Sequence, residues 1–108
     1  MIDWDRLKDL KDEIGESDFV EVATMFLEEA DEVIARLTLD HGAKVLEKDL
    51  HFLKGAALNL GFAQLAALCQ SGEQKAAAGS ILIDLDAVRS VYSVTRQLFV
   101  AECGLMAA

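Results

Sequence analysis

The sequence predicts an all-α protein, an antiparallel up-and-down four-helix bundle with a short additional N-terminal helix. Three observations carry this. Proline is absent from all 108 residues, so nothing forbids long helices. Apolar residues recur at three- and four-residue steps and never alternate with polar ones over a strand's length. Four sizeable amphipathic segments are separated by short breaks, for which a bundle is the economical way to bury one face each.

Asp3 is a candidate cap for a first helix through Ile14, with Trp4, Leu7 and Leu10 on one side and Gly15 as its stop. A second helix starts at Ser17 or Asp18. Phe19, Val22, Ala23, Phe26, Ala30, Val33, Ile34 and Leu37 form its apolar face, and Glu21, Glu28, Glu29, Asp31, Glu32 and Arg36 the opposite one. The break LDHG ends it. The third helix runs from about Ala43 to Leu60 and stops at Gly61. The fourth covers about Phe62 to Gln74 with Leu65, Leu68 and Cys69 inward, and KAAAGS reads as the following loop. A last helix, capped by Asp84 or a near neighbour, carries Leu85, Val88, Tyr92, Thr95 and Phe99 along one stripe. No internal repeat or linker divides the chain, which reads as one domain over 1–108.

A net charge of −9 opposes binding to nucleic acid or to an anionic membrane, because affinity for polyphosphates comes from neutralising Lys and Arg. No apolar run is long enough to span a bilayer. The N-terminus lacks the basic and apolar regions of a secretory signal, so the expected compartment is the cytoplasm. There Cys69 and Cys103 are free thiols, Cys69 as a small core residue. His41, His51 and the two cysteines show neither CxxC nor HExxH spacing, so no metal site is expected. His41, in the LDHG break, reads as a loop or helix-start residue without chemistry.

The informative stretch is HFLKGAALNLG, from His51 to Gly61. On the third helix Leu46, Leu50, Leu53, Ala57 and Leu60 form the core stripe. At about 100° per residue His51 points roughly 140° from the middle of that stripe, Gly55 roughly 180°, and Lys54 roughly 80°. Leu58 projects beside His51, two turns on. The spacing therefore predicts an exposed histidine in mid-helix, flanked by a cation and a gap. A neutral imidazole has a nitrogen free to attack phosphorus. Lys54 at i+3 is in reach to offset a phosphoryl charge, and phosphoryl transfer is governed by positioning and electrostatics. Glycine in a helix interior costs about 1 kcal/mol relative to alanine, so Gly55 suggests close approach by another molecule, to which Leu58 would offer apolar surface.

The segment HFLKGAALNLGFAQLAALCQSGE resembles the signature of histidine-containing phosphotransfer (HPt) domains. Their pattern is a histidine, two residues, lysine and glycine, a second glycine six residues later, then a leucine- and cysteine-bearing helix. His51, Leu53, Lys54, Gly55, Asn59, Leu60, Gly61, Leu65, Leu68 and Cys69 stand in that register. The upstream GESDFVEVATMFLEEADEVIARL is similar to the family's acidic helix before the motif, so the resemblance covers about Ile14 to Glu73. The chain departs at Asp49 and Leu50, where small residues are common, and at Ala56 and Ala57, where serines are.

The resemblance implies that His51 is the phosphoacceptor, Lys54 the positive neighbour of the phosphoryl group, Gly55 the clearance for a docking receiver domain and Gly61 the turn between two helices; Asn59 is given no catalytic role. It implies a monomer whose partners are receiver domains of response regulators or of a hybrid histidine kinase, with no cofactor of its own. There is no Walker loop or Gly-rich nucleotide lid, so no ATP-dependent kinase activity is expected, and the term enzyme is partly convention for such a relay intermediate. Two alternatives stand beside it. A sensor kinase's phosphoacceptor-dimerisation domain usually has an acidic residue directly after its histidine, where this chain has Phe52. A docking or scaffold bundle has no need of the joint spacing of His51, Lys54, Gly55 and Gly61.

Overall fold

The computed structural model describes residues 2–103. Within them the chain is all-helical: α1 Trp4–Ile14, α2 Glu16–Arg36, α3 Ala43–Leu60, α4 Ala63–Ala77 and α5 Leu85–Cys103. Each helix packs against its neighbour in the chain. α5 also returns to α2, where the Phe19 and Phe99 rings meet at 6.4 Å between centroids. Phe62 approaches Phe99 edge-on at 5.2 Å, the favoured arrangement of two ring quadrupoles.

The boundaries follow local chemistry. Asp3 Oδ1 accepts the Arg6 amide at 3.1 Å and so caps α1, and Asp84 Oδ1 accepts that of Ala87 at 3.0 Å at the start of α5. Gly61 closes α3 in the left-handed region at φ 73°, and the next amide, of Phe62, returns to the Ala57 carbonyl at 2.7 Å. This satisfies a carbonyl that the end of a helix would leave open. α2 begins slightly earlier than expected, at Glu16, with Gly15 rather than a hydroxyl or carboxylate side chain at the capping position.

The core is one cluster drawn from all five helices. On α3 all of Leu46, Leu50, Leu53, Ala57 and Leu60 are buried, as are Leu85, Val88, Tyr92, Thr95 and Phe99 on α5. Four expectations need correction. Trp4 is 46% exposed and only Leu7 of α1 is fully buried. On α2 the buried stripe runs through Leu27, while Val22, Phe26 and Ile34 are only partly covered. Leu68 of α4 likewise lies at the core's margin. Lys75, Ala76 and Ala77 belong to α4 and not to a loop: alanine is the best helix former, and Ala76 is held by the core.

Two carboxylates tie helices together, one buried and one at the core's margin. Asp49 is buried but paired with Arg36 at 3.2 Å across α2 and α3. Asp31 joins α2 to α5, accepting the Tyr92 hydroxyl at 2.5 Å and the Arg96 guanidinium through Nε at 2.9 Å and Nη2 at 2.8 Å. A two-pronged charged contact of this kind specifies how the helices seat. No helix among the described residues is long and apolar enough to cross a membrane.

Candidate functional site

α3 and α4 form a tight helical hairpin about Gly61. His51 stands ten residues before that glycine and Glu73 twelve after it, so both side chains lie roughly 15–18 Å along the hairpin from its turn. The helices come close here because α4 carries Gly72: a Cβ on it would stand 2.8 Å from Cδ1 of Leu50. With that side chain missing, the residue after Gly72 reaches across to α3.

The result is a three-residue constellation. Glu73 Oε2 lies 2.8 Å from His51 Nδ1. Lys54 Nζ donates to the same carboxylate, at 2.7 Å to Oε1 and 3.4 Å to Oε2. The Glu73 side chain is only 16% exposed, that of His51 70%. The Lys54 ammonium, ahead of the His51 contact and against the cost of burial, holds the Glu73 carboxyl below its usual range. An ionised carboxylate only accepts hydrogen bonds, so the proton between Glu73 and the ring belongs to Nδ1. In the neutral imidazole Nε2 then carries the free lone pair.

The surroundings match the sequence expectation in part. Gly55 has open space where a Cβ would be, and Leu58, 57% exposed, extends an apolar surface from the histidine toward a groove between the start of α1 and the end of α3, lined by Asp3, Arg6, Leu58, Asn59 and Gly61. The Asn59 side-chain amide donates to the Gly55 carbonyl at 2.9 Å. The Lys54 ammonium lies toward the His51 side, held by the carboxylate of Glu73 that also meets the ring. Sequence reasoning gave Glu73 no role. The register of the hairpin about Gly61 was the signal that could have found it, since residues at similar distances on either side of a tight turn come level with one another.

His51 occupies a shallow depression shared with Lys44, Glu47, Lys48 and Glu73. Such a surface suits a reacting group presented by another macromolecule better than a small molecule needing enclosure. Cys69, beneath the site, is buried, and burial followed by the nearby Glu73 charge pushes its thiol up to about 12, which removes it as a nucleophile. His41 is exposed in the α2–α3 turn. Among the described residues no three His, Cys, Asp or Glu side chains group so as to hold a metal ion.

Compared with protein families, residues 21–102 match the Hpt domain. The match begins inside α2 and runs almost to the end of α5, leaving α1 outside. Comparison with curated proteins and with solved structures finds no match.

Proposed function

Since the chain belongs to the Hpt domain family, histidine phosphotransfer modules of phosphorelays, we propose that His51 is the residue that carries the phosphoryl group between receiver domains. The observation that supports this most is the division of labour on the imidazole: Nδ1 is held by an ionised Glu73, which leaves the lone pair to Nε2 on a side chain that is 70% exposed. In the forward step Nε2 attacks the phosphorus of an aspartyl phosphate on a receiver. The N–P bond forms as the P–O bond breaks, and the receiver's aspartate leaves as a carboxylate. The ring keeps its Nδ1 proton and becomes an imidazolium whose charge Glu73 offsets. The reverse exchange with a second receiver's aspartate delivers the group onward.

Lys54 is placed to shift from Glu73 toward the incoming phosphoryl oxygens, Gly55 leaves room for the receiver's backbone, and Leu58 gives it an apolar foothold. α2 to α5 would form the antiparallel up-and-down bundle that carries this face, in a single domain acting as a monomer in the cytoplasm. The return of α5 to α2 through Asp31, Tyr92 and Arg96 supports that closure. The domain contributes a nucleophile, a cation and a docking surface, while the receiver brings the rest of the transfer machinery.

Incubation with a panel of phosphorylated receiver domains from the source organism tests this on wild type and His51→Gln. The expected result is label on wild type alone, acid-labile and alkali-stable as a phosphoramidate should be. Equal labelling of the Gln variant, or none of either protein by any receiver, would overturn it.

A further inference from the structure

Phosphohistidine is labile when the ring carries a proton on its second nitrogen and durable when it does not. With Nδ1 protonated, the N–P electron pair collapses onto Nε2 to release neutral imidazole; without that proton the leaving group would be the far poorer imidazolate anion. The lifetime of the phosphorylated ring is therefore set by what faces Nδ1. Here that is a carboxylate at 2.8 Å whose side chain is largely covered.

We propose that Glu73 keeps a proton on Nδ1 of phosphorylated His51 and thereby holds the phosphohistidine in its labile form, making this module a fast conduit for the phosphoryl group and not a store of it. The inference rests on His51 being the phosphoacceptor. A carboxylate in hydrogen-bond contact with a cationic ring favours the protonated form and raises the pH at which the ring loses its proton. The other charged groups facing the ring come from α3. Lys44 and Lys48 oppose this effect, Glu47 supports it, and Lys54 opposes it doubly, as a cation and as a competitor for the same carboxylate. From α4 the charge is that of Glu73, because the Cys69 thiol beneath it stays neutral. Lys44, Glu47 and Lys48 line an open depression where water screens them, whereas Glu73 touches the ring. The dianionic phosphoryl group acts alike in every variant and cancels from comparisons.

In hydrolysis the balance is simple. Water attacks phosphorus, the N–P pair returns to Nε2, inorganic phosphate departs, and His51 is restored as the neutral Nδ1–H tautomer that Glu73 selects. The same protonation state favours attack by a receiver's aspartate.

The experiment phosphorylates the full chain with potassium phosphoramidate, from which ammonia leaves as the N–P bond to His51 forms, with His51→Gln as the control for label elsewhere. After removal of the donor, loss of the phosphohistidine signal is followed by phosphorus NMR from about pH 5 to 9. In Glu73→Gln the midpoint of the lifetime profile should move to lower pH, with the half-life near pH 7.5 lengthened about three- to tenfold. In Lys54→Met the carboxylate serves the ring alone, and the midpoint should move the other way. Opposite shifts are not expected of a side chain that only positions the ring. Coincident profiles of wild type and folded Glu73→Gln, or a shorter lifetime in the latter, would overturn the inference while leaving His51 as phosphoacceptor. If Glu73→Gln does not fold, an unchanged or longer lifetime in Lys54→Met overturns it. Failure of His51 to take label from phosphoramidate and from every receiver removes the underlying reading, and the inference with it.

Discussion

Glu73 and His51 are twenty-two residues apart in sequence, yet the carboxylate of one meets Nδ1 of the other at 2.8 Å. The contact exists because Gly61 turns the chain and Gly72 lets the two helices close. It selects one tautomer of an exposed imidazole and leaves the opposite nitrogen for chemistry. The same carboxylate holds Lys54, so one acidic side chain orients the imidazole and restrains the cation beside it.

Acid should expose the Glu73–Lys54 pair. A carboxyl whose folded pKa is depressed contributes stability that is present above its unfolded value and lost as pH falls through the folded one. In a His51→Gln background, where the imidazole does not titrate, the further change Glu73→Gln should therefore lower the unfolding midpoint above about pH 5, and the difference should shrink as the pH is taken down through the acid range. Thermal melts across that range check this; a gap that widens in acid would contradict it.

Gly55→Ala should separate stability from transfer. A Cβ there meets nothing within 4 Å, and alanine is favoured over glycine in a helix interior by up to about 1 kcal/mol. The variant should melt at or above the wild-type temperature. Its phosphoryl exchange with a receiver should slow by about tenfold or more, because a methyl group intrudes on a close approach. Paired calorimetry and transfer kinetics decide it: unchanged transfer would remove Gly55 from the docking surface.

Gly61→Ala should do the reverse. The residue sits at φ 73°, and an added Cβ would stand 2.7 Å from the backbone oxygen of Asp3, whose own amide donates to the Gly61 carbonyl at 2.6 Å. Left-handed strain and a backbone clash together should cost about 2–3 kcal/mol, visible as a lower denaturant midpoint with an unchanged slope. A midpoint within about 0.5 kcal/mol of wild type would mean that the turn relaxes freely.

Thr95→Val should stabilise the protein. The Thr95 hydroxyl is wholly buried and has no hydrogen-bond partner among the described residues. Valine has nearly the same shape without the desolvated oxygen, so unfolding free energy should rise by about 1 kcal/mol, with His51 chemistry untouched. Denaturant titration checks the sign, and a loss of stability would show that the hydroxyl is satisfied in solution.

The sequence by itself determined the helical class, the apolar stripes of α3 and α5, the Gly61 stop and the exposure of His51 and Leu58. These are properties of one helix at a time: the 3.6-residue period and local capping leave little else to decide them. Even there the pattern misjudged Trp4, because a helix periodicity says which side is apolar and not how much neighbouring surface will cover it. What the tertiary structure alone decided are the relations between helices: Glu73 on His51 and Lys54, Asp49 on Arg36, and Asp31 on Tyr92 and Arg96. Each joins residues thirteen or more apart, so its existence depends on how closely and in what register two helices pack. Periodicity along a single chain contains no distance between helices, and a carboxylate reads as solvated until packing puts a partner within 3 Å.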